Sequence, residues 1–159
     1  MMLERGRDRI VVIGYGNTLR GDDGVGRRVA ETIAREGLAH VTVISTTQLT
    51  PELAAEVAWA RGVVFVDACH DDLPSVQVSE IEAAASESRH SHELGPSALL
   101  GLAGQCFGGA PRAWLVAVPA REFGLTDELS STALAGVGSA VSLVKNLICN
   151  ELRNEVAHA

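Results

Sequence analysis

Aromatic side chains are scarce, only 4% of 159 residues. A core built with so few must be filled by aliphatic side chains and alanine, which suits helices packed on a Val/Ile sheet. Basic runs are missing as well. Acids outnumber bases 20 to 13, for a net charge of −7, which argues against nucleic-acid binding, because such affinity rests on neutralising phosphates. Cysteine is limited to Cys69, Cys106 and Cys149, far apart and without a CxxC pair. That odd, scattered set fits a reduced, cytoplasmic protein, with Cys106 and Cys149 expected as small core residues. The uncharged stretch Leu129 to Val144 falls short of the roughly 20 residues a membrane span needs. It also carries Ser130, Ser131, Thr132, Ser139 and Ser142, and reads as a buried helix. The N-terminal MMLERGRDR is too charged for a secretory signal.

What is present reads as one domain over residues 1–159, with a core from about 10 to 153. IVVIG (10–14), VTVIS (41–45), VVFVDA (63–68) and AWLVAVP (113–119) read as buried strands. VQVSEIE (76–82) alternates apolar and polar residues, as an antiparallel edge strand would. Val25, Val29 and Ile33 form an apolar stripe between Arg27, Arg28 and Glu31, the mark of an amphipathic helix. PELAAEVAWA opens with a proline suited to a first helical turn, PSALLGLAGQ reads as a short helix, and a long helix closes the chain from about Asp127 to about Arg153. Strand and helix alternate, which predicts an α/β fold: a three-layer α/β/α sandwich around a mostly parallel twisted sheet. Right-handed crossovers would set the loops after the first and third strands side by side at the ligand-binding edge.

The first of those loops is GYGNTLRGDDGVG, Gly14 to Gly26. It begins like a dinucleotide fingerprint, but the third glycine would fall at Leu19, and the second strand ends at Ser45 instead of an acid. No GxxxxGK motif is present, and Asp22 and Asp23 would repel a pyrophosphate at the helix start. The two aspartates read either as helix caps or as functional carboxylates. Gly24 and Gly26 cost about 1 kcal/mol each in a helix interior, so something is expected to approach that backbone closely. Asp67 ends the third strand and is either a cap or a functional group at the same edge. Of the five histidines, His40 and His158 are unattractive, His70 follows Asp67 closely, and His90 and His92 lie in a polar loop that Gly95-Pro96 terminates. Two carboxylates and an imidazole would make a mixed oxygen and nitrogen site that suits Zn, Cu, Fe or Ni.

GYGNTLRGDDGVG after an N-terminal strand, an apolar strand ending in Asp67, and the HELGP segment together resemble the maturation endopeptidases of [NiFe] hydrogenases. The resemblance runs over nearly the whole chain. It implies a protease that removes a C-terminal extension from the hydrogenase large-subunit precursor after nickel insertion, letting the new C-terminus close over the metal centre. The family's metal-contacting positions match Asp23, Asp67 and His92, and Asn17 and Asp22 match other characteristic positions of the first motif. The metal implied is nickel carried by the substrate. Two departures stand out: STTQLTPEL replaces a turn that is commonly glycine-rich, and Asp23 stands where some relatives have glutamate. The mechanism expected is nickel acting as a Lewis acid, with Asp23 or Asp67 as general base, or an aspartate pair sharing a proton. A cysteine or serine nucleophile fits less well, since Cys69 lacks a defined base and no GxSxG elbow exists. The rival function is a non-catalytic nickel-sensing checkpoint or metallochaperone using the same residues. The expected state is a monomer, without nucleic-acid or membrane partners.

Overall fold

The order of hydrophobic segments dictates a single sheet. In the computed structural model, which describes residues 7–84 and 93–154, the chain runs β1 (Ile10–Tyr15), α1 (Val25–Arg35), β2 (Val41–Thr46), α2 (Ala54–Ala58), β3 (Gly62–Cys69), β4 (Gln77–Ile81), α3 (Pro96–Phe107), β5 (Arg112–Pro119) and α4 (Ser131–Arg153). Short 3-10 turns, Gly21–Gly24 and Pro51–Leu53, lead into α1 and α2. The strand order is β2-β1-β3-β5-β4. β2, β1, β3 and β5 are parallel, and β4 is the antiparallel edge that the alternation of its residues predicts.

The period of two divides the strands between two cores. Val12, Val64 and Val116 face Val25, Val29 and Ile33 of α1 and Ala140, Val144 and Ile148 of α4. Val11, Ile13 and Phe65 face Val57 of α2 and Leu99, Leu100 and Ala103 of α3. Each of the inner strands β1 and β3 therefore buries both faces, which is why their sequences are nearly unbroken runs of β-branched residues. The chain is thus a three-layer α/β/α sandwich, as the alternation of strand and helix predicts.

Three local expectations change. The last helix starts at Ser131, because Ser130 is its N-cap and its side chain accepts from Ala133 N at 3.2 Å. Only one stripe of that helix is buried, through Ala133, Gly136, Ala140, Val144 and Ile148, and Leu134 is exposed. At 23 residues it is long and apolar enough to cross a membrane by length and composition, and here it packs on α1 and β5. Cys106 and Cys149 are exposed, not in the core. Cys149 sits one residue past buried Ile148 and is turned about 100° towards solvent.

The glycines of the first loop also serve a different end from the one expected. The backbone that comes close is the chain's own. A Cβ on Gly26 would collide with the Val66 carbonyl of β3, and one on Gly14 would collide with Gly26 itself. Helix α1 can therefore lie directly across β1 and β3. Replacing a helical glycine by alanine ordinarily stabilises by about 1 kcal/mol, but here the sign reverses. Gly26→Ala is expected to lose about 2–3 kcal/mol through overpacking. Gly138→Ala in α4, with open space around it, should gain about 0.5–1 kcal/mol. Urea unfolding of the two variants beside wild type checks both signs.

Candidate active site

In open α/β sheets a ligand crevice forms where successive connections leave in opposite directions. The order β2-β1-β3 puts that point between the carboxyl ends of β1 and β3, where Gly14 pairs with Val66. Tyr15 ends β1, and Asp67 lies one residue past Val66. A cleft of about 720 Å³ opens there, and its lining includes Tyr15, Asn17, Arg20, Asp23, Gln48, Asp67 and His70.

The loop after β1 is built by its own polar groups. The Asn17 side chain accepts from Leu19 N at 2.9 Å, an Asx turn, and its carbonyl accepts from Arg20 N at 3.1 Å. The 3-10 turn then sends its two aspartates to opposite sides. Asp23 turns back to the cleft, where Oδ2 accepts from Asn17 N at 2.8 Å. Asp22 is fully buried. Its carboxylate accepts from Arg121 N, Glu122 N, Ser130 N and the Ser130 hydroxyl at 2.6–3.0 Å. Burial alone would raise its pKa; the hydrogen bonds from Ser130, Arg121 and Glu122 outweigh it and hold the carboxyl below its usual value. Neither aspartate caps its own helix, contrary to one of the two readings. Asp22 instead anchors the start of α4, more than a hundred residues on.

Asp67 is half-buried at the end of β3. Burial pushes its pKa up, hydrogen bonds from the Tyr15 hydroxyl and Ala68 N pull it down, the charge of Asp23 raises it and His70 lowers it, leaving it at about 6. Tyr15 is itself pushed up, first by burial and then by Asp67. His70 stacks on Phe123 with centroids 4.1 Å apart and planes within 10°. Its Nε2 lies 4.0 Å from Asp23 Oδ1.

The structure thus brings Asp23 and Asp67 to one cleft and adds His70 beside them. His90 and His92 lie outside the described residues. Glu93 and Leu94, which follow His92 in sequence, line the cleft. Among the described residues, no three His, Cys, Asp or Glu side chains are grouped to hold a metal ion. Tyr15 was not singled out from the sequence; its signal was a phenol at the carboxyl end of an otherwise aliphatic strand.

No family model matches the chain, and no curated protein matches it. Solved structures do. A hydrogenase 2 maturation peptidase from a Thaumarchaeota archaeon is 28% identical, covering 87% of this chain and 97% of its own, with a TM-score of 0.67. The [NiFe] hydrogenase maturation protease HycI from Thermococcus kodakarensis is 25% identical, covering 96% and 99%, with the same TM-score of 0.67. The chain is thus similar in both sequence and fold to hydrogenase maturation proteases. For the fold alone, the maturating endopeptidase HybD from E. coli agrees at a TM-score of 0.64, with 22% identity over 86% of this chain and 89% of its own.

Within this chain, the STTQLTPEL departure falls at the cleft, where Thr47, Gln48, Leu49, Thr50 and Pro51 form one wall. The adjacent aspartates should separate cleanly by experiment. Asp22→Asn puts an amide donor among hydrogen-bond donors in a buried site and is expected to cost about 3 kcal/mol. Asp23→Asn keeps an acceptor for Asn17 N and should change stability by less than about 1 kcal/mol. Chemical denaturation at pH 7 reads the difference.

Proposed function

We propose that this chain is the endopeptidase that cuts the C-terminal extension from a [NiFe] hydrogenase large-subunit precursor once nickel is in place. The observation that carries this reading is the meeting of Asp23 and Asp67 at the switch-point cleft. The charge of Asp23 raises the proton affinity of Asp67, and a cation arriving between the two carboxylates would be stabilised there. Asp23, Asp67 and His92 are the residues proposed to receive the nickel, which enters as part of the substrate. Bound nickel would supply Lewis-acid polarisation at the scissile carbonyl.

Asp67 has the properties of the base. In the metal-free chain a pKa of about 6 leaves it ionised at neutral pH yet basic enough to take a proton. It would remove a proton from water as the water oxygen bonds to the scissile carbonyl carbon. The same proton then passes to the leaving nitrogen as the C–N bond breaks. The Tyr15 hydroxyl orients the carboxylate throughout. The expected setting is cytoplasmic, with the protease acting as a monomer.

The test is mass spectrometry of precursor incubated with the protein, with and without nickel. Release of a C-terminal peptide only from nickel-loaded precursor is expected, with Asp23→Asn, Asp67→Asn and His92→Ala each slowing it at least about a hundredfold. Binding to the nickel-loaded precursor with no peptide ever released would establish the checkpoint function instead. Wild-type cleavage rates in Asp23→Asn and His92→Ala would overturn the site.

The same carboxylate makes a stability prediction for the metal-free chain. The folded pKa of Asp67 is raised from 3.8 to about 6, so the folded state binds the extra proton between those values. Stability therefore falls as pH rises through that window, and the full penalty is present above about pH 6. Asp67→Asn should thus be more stable than wild type by about 2 kcal/mol at pH 7.5, with the gain vanishing below pH 4. Urea unfolding at the two pH values measures it.

A further inference from the structure

The cleft is lined largely by polar and charged groups, including Asn17, Arg20, Asp23, Asp67 and His70. Its apolar contribution is confined to a few side chains, Tyr15, Leu49, Pro51 and Leu94. Outside it, beside Arg20, two leucines stand in solvent: Leu19 is 62% exposed and Leu125 is 92% exposed. Scattered exposed leucines are ordinary on protein surfaces, but this pair is held side by side. Arg20 and Thr126 form a parallel bridge. Thr126 N donates to the Leu19 carbonyl at 3.1 Å, and Gly21 N donates to the Thr126 carbonyl at 2.7 Å. In a bridged pair of this kind the residues preceding each partner project to a common side. Both loops are also clamped by buried Asp22, through Glu122 N and Ser130 N. The bracing fixes the backbone at both leucines, so the backbone share of their ordering cost is already met.

We infer that Leu19 and Leu125 form an apolar anchor that seats the folded body of the precursor while its extension lies in the cleft. This rests on the proposed protease function and adds to it a docking surface outside the cutting site. The occupant follows from continuity: Arg20 lines the cleft and Leu19 directly precedes it, so the leucine pair adjoins the place where the extension of a client would lie. The anchor supplies affinity, and the aspartates supply the cut.

The experiment is steady-state cleavage of nickel-loaded [NiFe] hydrogenase large-subunit precursor by wild type and by a Leu19→Ser/Leu125→Ser double variant, with thermal melts of both. The expected result is a KM raised about tenfold or more, an unchanged kcat and an unchanged melting temperature. An unchanged KM would overturn the anchor while leaving the protease reading intact, as would a fall in kcat alone. A wild-type chain that neither binds nor cuts the precursor would overturn both. Sedimentation supplies the remaining outcome: a wild-type dimer that the double variant dissolves would reassign the leucines to a second copy of this chain.

Discussion

The carboxylate of Asp22 accepts hydrogen bonds from residues 99 to 108 positions away along the chain. It is fully buried, so each of those bonds forms where no water competes and an unmet donor would be costly. Through them the loop after β1 and the loop after β5 become one rigid unit. Asp23, next in sequence, inherits a fixed direction into the cleft. Phe123, one residue past Glu122, inherits a fixed position, and His70 stacks on it. The start of α4 is set by the same oxygens through Ser130. Helix packing sets the other boundary: α1 lies close enough for Gly26 to touch the Val66 carbonyl, one residue before Asp67. The two aspartates of the cleft are thus held by separate devices that meet at the β1/β3 switch point.

Held that way, they work against one another. Asp67 loses water on folding and stands near a second negative charge, and the Tyr15 hydroxyl offsets only part of this. A surface optimised for stability alone would not keep a half-buried carboxylate in that position. Strain of this kind is commonly found where a fold is prepared for a ligand that has yet to arrive, and for two carboxylates the complementary ligand is a cation.

Much of this was readable because its causes are local. Val/Ile runs at 10–14 and 63–68 can form little other than buried strands, and the stripe Val25, Val29, Ile33 marks one helix face. Ser130 as the cap of α4 was harder to place, since several serines and threonines compete nearby. The division of labour between Asp22 and Asp23 could not be read at all. Both are acids at a helix start, and only the loop after β5, folded back against them, decides which is buried. The same holds for Gly24 and Gly26, whose crowding comes from Thr18 and from β3. Tyr15 escaped notice because its partner, Asp67, is close only after β1 and β3 pair. Local pattern specifies elements; long-range pairing specifies which polar groups become neighbours.

That distinction bears on how cutting would be restricted to finished precursors. Among the described residues the cleft brings the Asp23 and Asp67 carboxylates and the His70 imidazole together, without grouping three donors around an ion. A protease whose own side chains held a metal tightly could cut any chain that fitted its groove. One whose carboxylates repel until a substrate brings a cation gains affinity only from a metal-bearing client, and the energy released by pairing those charges is available only in that complex. On the proposed function, the raised pKa of Asp67, set first by burial and then by the charge of Asp23, and the selectivity for nickel-loaded precursor share one physical origin: a partly desolvated carboxylate, beside a second acid, left uncompensated by the fold.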